Sequence, residues 1–361
     1  MNPPAAVVWA GFGLGIVLGA AGRLSAFCLY RGLKESWSGG DGRPLRTFLL
    51  ALLVALIGSQ ALEATGWVDF ANSPYLRAAF PVPMVVFGGA VFGAGMVLAR
   101  GCGFRALVLM GGGNLRSLVV LASLGIAGYA TLTGILVPMR TALGGIGRIE
   151  VVGTPTLPGL VAGIGLHPEL ARVLVTGVVA LALVAFIRRD RAFLRSPALM
   201  IGGALIGACV VAGWAITGIL GADDFQEVAL ASASFIMPVG DGLLYLMQAS
   251  GRALGFGPAL AGGVVAGSFV FALLRGEWHT QGFSAERPVG RYLLGGTLMG
   301  IGGVLAVGCS IGQGLTGAAT LALMTIPAVA GILAGTALML QLEPAGAASL
   351  PDARPTREEI A

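Results

Sequence analysis

The sequence is poor in charged residues, in histidine and in clustered cysteine, and these shortages limit what the chain can be. Only 11% of its 361 residues are charged, whereas soluble domains carry roughly 25%. The four cysteines, Cys28, Cys102, Cys209 and Cys309, form no C-x-x-C pair, and no histidine or carboxylate cluster lies beside them in sequence. We therefore expect no metal site, no cofactor and no dithiol redox centre. No pair of carboxylates suggests hydrolysis, so an enzyme is not indicated.

Apolar residues, in contrast, form runs of bilayer-spanning length. Hydrophobic residues make up 56% of the chain, and six uncharged runs are long enough to cross a membrane by themselves. Three shorter runs are long enough once their flanking residues are included. The sequence therefore predicts an all-α membrane protein, embedded in a lipid bilayer, with about nine transmembrane helices at residues 5–22, 47–62, 80–99, 117–139, 173–187, 197–222, 257–274, 292–308 and 314–342.

The basic residues are distributed unevenly between the predicted loops. If the N-terminus lies outside, 17 of the 22 arginines and lysines fall in the inner loops and the C-terminal tail, and 5 fall in the outer segments. Inner loops carry the excess of basic residues in membrane proteins. We therefore predict an outer N-terminus and a cytoplasmic C-terminus. The net charge of +5 reflects this orientation, and we expect no nucleic-acid partner.

One motif occurs twice in the chain. Residues 88–102 and 295–309 have nine of fifteen positions identical at a fixed offset, and both copies are apolar runs that end in Gly-Cys. An internal repeat of this kind is typical of transporters that are built from two halves with broken helices. Under the predicted topology the two copies run in opposite directions, so the halves are inverted. Irregular backbone at this depth is tolerated only where it is buried in protein or lines a cavity.

The repeat divides a single predicted membrane domain, residues 1–343, into two pseudo-symmetric halves. The first half covers about residues 5–140 and the second about 197–342, while residues 141–196 hold a linker and a connecting span. Residues 223–252 are interpreted as an outer connector, and residues 344–361 as a flexible cytoplasmic tail. We expect the Gly-Cys segments to form re-entrant loops, with Gly101, Gly308 and Gly312 breaking the helices.

Cys102 and Cys309 are the strongest candidates for lining a pathway, because each occupies the same place in an otherwise diverged repeat. Cys209 lies in a plain apolar run, where a cysteine is usually a small apolar filler. Cys28 lies at the inner end of the first span, ahead of two basic residues. Those cations are explained equally by attraction of an anion and by side chains that reach toward the membrane surface.

Polar side chains near the two repeated cysteines are candidates for binding an anion. Arg105 follows the first of them by three residues, and a charge at membrane depth indicates function, although an anchor at the inner surface also explains it. Ser310 and Gln313 supply hydrogen-bond donors beside the second cysteine, and Asn114 supplies one after the first. Helices that restart after the breaks would add positive dipole ends.

The same segments resemble those of a known family. The stretches GGAVFGAGMVLARGCGFRALVLMGGGNLRSLV and GGTLMGIGGVLAVGCSIGQGLTG resemble the two signatures of the YeeE/YedE sulfur-transport family, bacterial inner-membrane permeases for thiosulfate. RLSAFCLYRG, which contains Cys28, resembles the family's N-terminal arginine-x-phenylalanine-cysteine element. The resemblance extends over about residues 11–340.

This resemblance implies an hourglass-shaped helical protein whose two re-entrant loops meet at a constriction. Cysteines there are proposed to pass thiosulfate along by S–H···S hydrogen bonds, and Cys28, Cys102 and Cys309 match them in this sequence. A further cysteine of some members has no counterpart here, since the internal sequence match places Ala272 opposite Cys28. Besides thiosulfate, a cytoplasmic sulfur-carrier or sulfurtransferase protein is an expected partner.

Two other functions stay open at this point. A membrane-embedded sulfurtransferase, or thiol–persulfide carrier, would take the outer sulfur of the substrate onto a reactive thiolate, although the sequence offers no adjacent base. A transporter of a selenium compound would use the same thiols on a related anion. The leading prediction is an inner-membrane permease that takes up thiosulfate or a related sulfur-containing anion.

Overall fold

The computed structural model describes residues 5–151, 153–222, 228–282 and 288–343, and these residues are almost entirely helical. In chain order the helices are α1 (Ala5–Leu24), α2 (Leu29–Trp37), α3 (Arg43–Ala64), α4 (Val82–Ala99), α5 (Gly103–Gly111), α6 (Leu115–Leu132), α7 (Val137–Gly144), α8 (Leu157–Ala162), α9 (Pro168–Arg188), α10 (Arg191–Leu194), α11 (Pro197–Ala215), α12 (Ile236–Gln248), α13 (Phe256–Leu274), α14 (Val289–Leu305) and α15 (Thr325–Leu342). The π-helical turns Ile216–Leu220 and Gly312–Gly317 and the 3₁₀ turn Phe70–Asn72 complete the helical elements. Strands β1 (Ala79–Pro81) and β2 (Arg148–Glu150) form a short antiparallel pair.

The long helices account for the predicted spans. Eight segments of the described chain are long and apolar enough to cross a bilayer, and α14, with 17 residues, is slightly shorter. Prolines in the first turn of α3, α4, α9 and α11 favour helix initiation, because that position needs no N–H donor. The prediction of an all-α membrane protein with about nine spans is confirmed.

Two of the predicted spans are too long. The span predicted at 117–139 ends at Leu132, because the chain leaves the helix at Thr133 and Gly134 and a separate helix, α7, begins at Val137 with Pro138 in its first turn. The span predicted at 314–342 consists of the turn Gly312–Gly317, a stretch without regular helix, and α15. Leu321 in that stretch has φ +55°, a left-handed conformation that a right-handed helix does not contain. The predicted tail at 344–361 lies outside the described residues.

The repeated glycines pack α4 against α14. A Cβ on Gly88 would lie 2.8 Å from the carbonyl oxygen of Gly302, and a Cβ on Gly302 would lie 2.6 Å from that of Gly88. Gly95 and Gly295 meet in the same way, with corresponding distances of 2.7 and 2.9 Å. Side chains at these positions would push the helices apart, so these four glycines serve close helix packing.

These contacts interchange when the two copies of the repeat are exchanged. Gly88 corresponds to Gly295 and Gly95 to Gly302, so the first glycine pair becomes the second. The neighbouring helices follow the same rule, because α4 packs on α15 while α14 packs on α6. In addition, α1 packs on α13 while α11 packs on α3. The two sets of helices therefore obey an approximate two-fold exchange.

Helix α9 lies outside this exchange. It packs mainly on α3, and an ion pair of 3.1 Å between Arg46 and Asp190 ties the end of the connecting span to the start of α3. Only 11% of its most apolar 18-residue stretch is buried within the protein. This helix therefore lies at the periphery and does not contribute to the centre, where the broken segments meet.

Candidate functional site

Each of three cysteines stands where a helix has ended and a short helical segment begins. Cys28 is the N-cap residue of α2 and Cys102 is the N-cap residue of α5, both with extended backbone. Cys309 follows the end of α14 and precedes the turn Gly312–Gly317. The three breaks lie after α1, α4 and α14. The sequence prediction that the Gly-Cys segments interrupt the helices therefore agrees with the structure.

The backbone N–H group three residues after each cysteine points toward its sulfur. The N–H of Gly312 donates to the sulfur of Cys309 at 3.2 Å. The equivalent N–H groups of the other two cysteines face their sulfurs with a looser geometry than a full cap hydrogen bond. The first N–H groups of a helix have no partner inside it and carry partial positive charge. They suit an atom that bears negative charge.

The breaks bring the three thiols together. Cys28 and Cys102 lie close enough to interact electrostatically, and Cys102 also faces Ser310 and Cys309. The cysteines at positions 28, 102 and 309 are 4%, 1% and 1% exposed, and all are free thiols. They form a buried row in the order Cys28, Cys102, Cys309, which we call the thiol row. The structure thus assembles three of the residues that the sequence nominated separately.

The backbone in front of both repeated cysteines is held in an unfavourable conformation. Arg100 has φ +58° and Val307, at the equivalent position of the second copy, has φ +57°. A left-handed conformation is a clear outlier for a β-branched residue and is maintained only by the surrounding structure. Gly308, with φ +156°, and Gly101 lie within the breaks. Gly312 does not break a helix, because it begins the π-helical turn.

Gln313 braces the second break. Its amide nitrogen donates to the carbonyl oxygens of Ala306 at 2.8 Å and Val307 at 3.2 Å, and its Oε1 accepts from the hydroxyl of Thr325 at 3.0 Å. The two carbonyls belong to the end of α14, where a helix leaves its acceptors without internal partners. Because the buried amide is fully engaged, Gln313 positions the chain around Cys309 and has no donor left for a substrate.

Ser310 is a polar residue at the thiol row with unused hydrogen-bonding capacity. Its side chain is fully buried, and its Oγ has no hydrogen-bond partner among the described residues. Cys102 lies nearby, but the pair does not meet the geometry of a hydrogen bond. A buried hydroxyl without a partner is costly. The Ser310 hydroxyl is therefore available to an oxygen of a bound anion.

Arg105 lies at the Cys28 end of the thiol row. Its side-chain stem packs on Gly101, where a Cβ would lie 3.0 Å from the Cγ of Arg105. Its guanidinium is within electrostatic range of Cys28. The position in the first turn of α5 thus brings one positive charge close to Cys28.

Asn114 lies away from the thiol row, at the other end of α5. Its Oδ1 accepts the N–H of Ser117 at 3.2 Å and caps α6, and its Nδ2 donates to Gln281 at 2.7 Å. Nine helical residues separate it from Cys102, which corresponds to about 13 Å. The expectation that Asn114 serves a substrate beside Cys102 is therefore not supported, because its amide groups hold the turn between α5 and α6.

Cys209 and the metal-binding residue types form no second site in the described part of the chain. Cys209 is buried within α11, outside the thiol row. No group of three or more histidine, cysteine, aspartate or glutamate residues among the described residues is arranged to hold a metal ion.

A cavity of about 470 Å³ lies beside the Cys309 end of the thiol row. Tyr75, Ser234 and Gly308 line the end nearest that cysteine, since a Cβ on Gly312 would lie 3.0 Å from Oγ of Ser234 and 3.2 Å from the hydroxyl oxygen of Tyr75. Burial raises the pKa of the Tyr75 hydroxyl well above its ordinary value, so the group stays a hydrogen-bond donor. We call this space the outer cavity, because its walls come from segments that the sequence assigned to the outer side.

The outer cavity carries positive charge. Arg77 and Arg140 line it, and neither forms an ion pair with any described residue. Asp241 also lines the cavity, but it accepts hydrogen bonds from Tyr129 and Arg252, the latter at 2.6 Å. Two unpaired guanidinium groups and one neutralised carboxylate make the cavity attractive to a small anion.

Residues 228–248 were misjudged from the sequence as part of an outer connector. The extended segment 228–235 and α12 enter the protein, where Phe235 and Ile236 are 0% and 3% exposed, and the N–H of Phe235 points toward Cys309. This break followed by a short helix is the second-half counterpart of the Cys28 break. Ala272, expected opposite Cys28, lies inside α13 instead, and the residue that precedes α12, as Cys28 precedes α2, is Phe235.

Comparison with known proteins decides the family. A profile of the family described as sulphur transport matches residues 24–338, a range that includes the thiol row and the outer cavity. The chain belongs to the sulphur transport family. It is 25% identical over 333 residues to the thiosulfate transporter TsuA of Escherichia coli strain K12, covering 86% of this chain and 87% of that protein. It is also 25% identical over 334 residues to the thiosulfate transporter TsuA of Spirochaeta thermophila, covering 88% and 93% respectively.

Family membership confirms two predictions from the sequence. The chain is a transport protein and not an enzyme, and its apolar helices make it a multi-pass membrane protein. The resemblance to the sulfur-transport family, first indicated by the doubled Gly-Cys motif, is confirmed over most of the chain.

Proposed function

We propose that this sulfur transporter takes up thiosulfate, or a closely related sulfur-containing anion, past the thiol row. The observation that carries the proposal is the convergence of three buried, free thiols from three separate helix breaks. Thiosulfate has a soft terminal sulfur, which thiols contact weakly, and a hard sulfonate, which backbone N–H groups and the Ser310 hydroxyl suit. Several weak sites in sequence allow an ion to leave as well as to bind.

The substrate enters through the outer cavity in this proposal. Arg77 and Arg140 attract the anion, and Tyr75 and Ser234 receive it at the end nearest Cys309. From there it moves along the row to Cys102 and Cys28, where Arg105 supplies a further positive charge. The order of the contacts follows the order of the residues between the cavity and the inner end of α1.

The orientation of the chain follows from its charge distribution. We place the protein in the bacterial inner membrane with the N-terminus in the periplasm and the C-terminus in the cytoplasm, because the basic residues concentrate in the predicted inner loops. The halves are about residues 5–140 and 197–342, linked by 141–196, and the exchange of helix contacts between the repeats supports this division. A cytoplasmic sulfur-carrier or sulfurtransferase protein is the partner expected at the inner side.

Uptake by the purified chain tests the proposed function. Sealed lipid vesicles that contain only this protein are expected to accumulate labelled thiosulfate above the level of empty vesicles. Excess unlabelled sulfite, sulfide and selenite in parallel samples determine which related anions share the pathway. Uptake of a selenium anion with exclusion of thiosulfate would replace the proposed substrate.

Arg105→Gln is expected to raise the apparent KM for thiosulfate by about tenfold, the factor that corresponds to about 1.4 kcal/mol. The variant loses the charge near Cys28 but keeps all three thiols. Arg105→Lys is expected to give a KM between those of the wild type and Arg105→Gln, since a point charge survives without the planar guanidinium. Initial uptake rates at graded thiosulfate concentrations give both values.

Arg275→Gln is the matched control for this experiment, because Arg275 stacks on Phe271 at a predicted inner end and is not part of the thiol row. Its KM is expected to stay at the wild-type value. Unchanged kinetics in Arg105→Gln, at normal expression, would assign Arg105 to membrane anchoring instead.

A further inference from the structure

A row of phenylalanine rings accompanies the thiol row. Phe27 stacks on Phe48 with ring centroids 5.3 Å apart and meets Phe104 edge-on at 6.2 Å, and Phe104 meets Phe235 at 5.0 Å. The rings at positions 27, 48, 104 and 235 are 2%, 4%, 1% and 0% exposed. Phe27 and Phe235 come from the breaks before α2 and α12, Phe48 from α3 and Phe104 from α5. We call these four residues the ring row.

Three of the rings are tied to one thiol each. Phe27 directly precedes Cys28, Phe104 follows its cysteine by two residues, and the backbone N–H of Phe235 points to Cys309. Phe27 and Phe235 lie in equivalent breaks of the two halves, since Phe235 is the N-cap residue of α12 and Phe27 directly precedes the N-cap residue of α2. An anion that contacts the thiols in turn therefore meets the rings in turn.

We propose that the ring row makes this pathway selective against fully oxygenated, strongly hydrated anions such as sulfate. Phe27, Phe104 and Phe235 are thus specificity-determining residues for the transported sulfur anion. The inference rests on the proposed function and adds to it the basis on which two tetrahedral dianions of similar size are told apart.

Sulfate and thiosulfate differ in the number of hydrogen-bond acceptors that they present to the donors of the thiol row. Apart from the Arg105 guanidinium at the Cys28 end, the described donors along the row are few, namely the Ser310 hydroxyl and a few backbone N–H groups beside the sulfurs. Sulfate presents four oxygens, whereas thiosulfate presents three oxygens and one soft sulfur. A phenyl ring offers no donor to the fourth oxygen, and leaving a charged acceptor unsatisfied in an apolar site is costly. A sulfur atom, in contrast, packs favourably against aromatic edges.

Burial prevents water from supplying the missing donors. The thiols and rings are at most 4% exposed, so the anion has to shed its hydration shell to pass between them. Hydrophobic constrictions act on ions in this way, by making the dehydrated state unfavourable. Sites that leave a polar group unpaired discriminate more strongly between analogues than sites that differ only in size.

Phe235→Tyr is expected to narrow the preference for thiosulfate over sulfate by about tenfold or more, the factor that one hydrogen bond to a charged group supplies. Labelled thiosulfate and, separately, labelled sulfate are added outside vesicles that contain the full chain. The initial uptake rate of each anion is then measured. Phe27→Tyr is the second variant with the same expected outcome. Phe104 is left unchanged, because a Cβ on Gly22 would lie 2.6 Å from its Cζ and a hydroxyl has no room there.

Two control variants separate polarity from size and from general damage. Phe235→Leu shrinks the side chain without adding a donor and is expected to keep sulfate out. Phe193→Tyr alters a fully buried phenylalanine that packs with Leu53 and Ile187 in a separate cluster. This variant is expected to keep the wild-type preference for thiosulfate over sulfate.

Three results decide the matter. Sulfate exclusion that persists in both folded tyrosine variants would overturn the proposal, and so would equal sulfate admission by Phe235→Leu and Phe235→Tyr. Failure of the wild-type chain to take up thiosulfate is a different result, because it removes the proposed function before selectivity is measured.

Discussion

Cys309→Ala is expected to abolish thiosulfate uptake while leaving a folded protein in the membrane. The methyl group of alanine keeps most of the packing, so the cost in stability is about 1 kcal/mol, but the sulfur next to the outer cavity is lost. Cys102→Ala is expected to have the same effect, because Cys102 faces both other thiols. Cys28→Ala is expected to follow them, since Cys28 is the neighbour of Cys102 in the thiol row. Initial uptake rates per purified protein give the comparison.

Cys209→Ala is the matched control for the cysteine series. Cys209 is as buried as Cys28, at 4% exposure, but lies in α11 outside the row, so its replacement is expected to leave uptake unchanged. Cys309→Ser extends the test, because serine keeps a hydrogen-bonding group of similar size without the soft sulfur. We expect Cys309→Ser to take up little more thiosulfate than Cys309→Ala. Wild-type rates in Cys102→Ala and Cys309→Ala would remove the thiols from the pathway.

Gly263→Ala is expected to destabilise the protein by about 1–3 kcal/mol, the usual cost of overpacking. A Cβ on Gly263 would lie 2.2 Å from the carbonyl oxygen of Phe12 and 2.9 Å from the Cα of Gly15. Both are backbone atoms, so α1 and α13 have to separate. Gly263→Leu is expected to prevent folding. The melting temperature of the detergent-purified protein measures the effect.

The neighbouring glycine supplies the control. Gly262 lies in the same helix, but a Cβ there would meet nothing within 4 Å. Gly262→Ala is therefore expected to be neutral or stabilising, since alanine favours helix by about 1 kcal/mol over glycine. Equal melting temperatures for the two alanine variants would show that α1 and α13 do not pack as closely as described.

The sequence was most informative where the two halves have kept the same residues. The identical glycines of the two copies lie where α4 and α14 touch, and a residue with a side chain could not replace them without separating the helices. Both copies have also kept the cysteine at their end, and these two cysteines mark the breaks. Repetition therefore predicted both the packing and two members of the thiol row.

The second-half counterpart of the Cys28 break was missed because little of it has been kept. The offset of 207 residues between Cys102 and Cys309 carries Cys28 to residue 235, next to Ile236, which begins α12. Only the match of Phe27 to Phe235 and of Gly32 to Gly240 remains there, at an offset of 208 residues, one more than in the strong repeat. Acidic residues nearby made the segment look like a surface connector. Applying the offset of the strong repeat to the weak one would have located it.

The roles of several polar residues depend on tertiary contacts that sequence spacing does not encode. Gln313 follows Cys309 closely in sequence, but its amide turns back to the carbonyls that end α14. Asn114 is used as a helix cap. Arg77 and Arg140 are far apart in sequence and appeared only as outer cations, yet they line one cavity. The sequence pattern showed which polar residues lie near the breaks, whereas their roles depend on how the breaks pack in the folded protein.

Position-specific labelling of thiosulfate tests most directly whether the intact anion passes the thiol row. Vesicles that contain only the purified chain are given thiosulfate labelled either at the outer sulfur or at the sulfonate sulfur. The two labels are expected to accumulate inside at equal rates, and the protein is expected to retain no sulfur in stoichiometric amount. Outer-sulfur label bound to a cysteine as a persulfide, with the sulfonate label left outside as sulfite, would contradict transport and establish sulfur transfer instead.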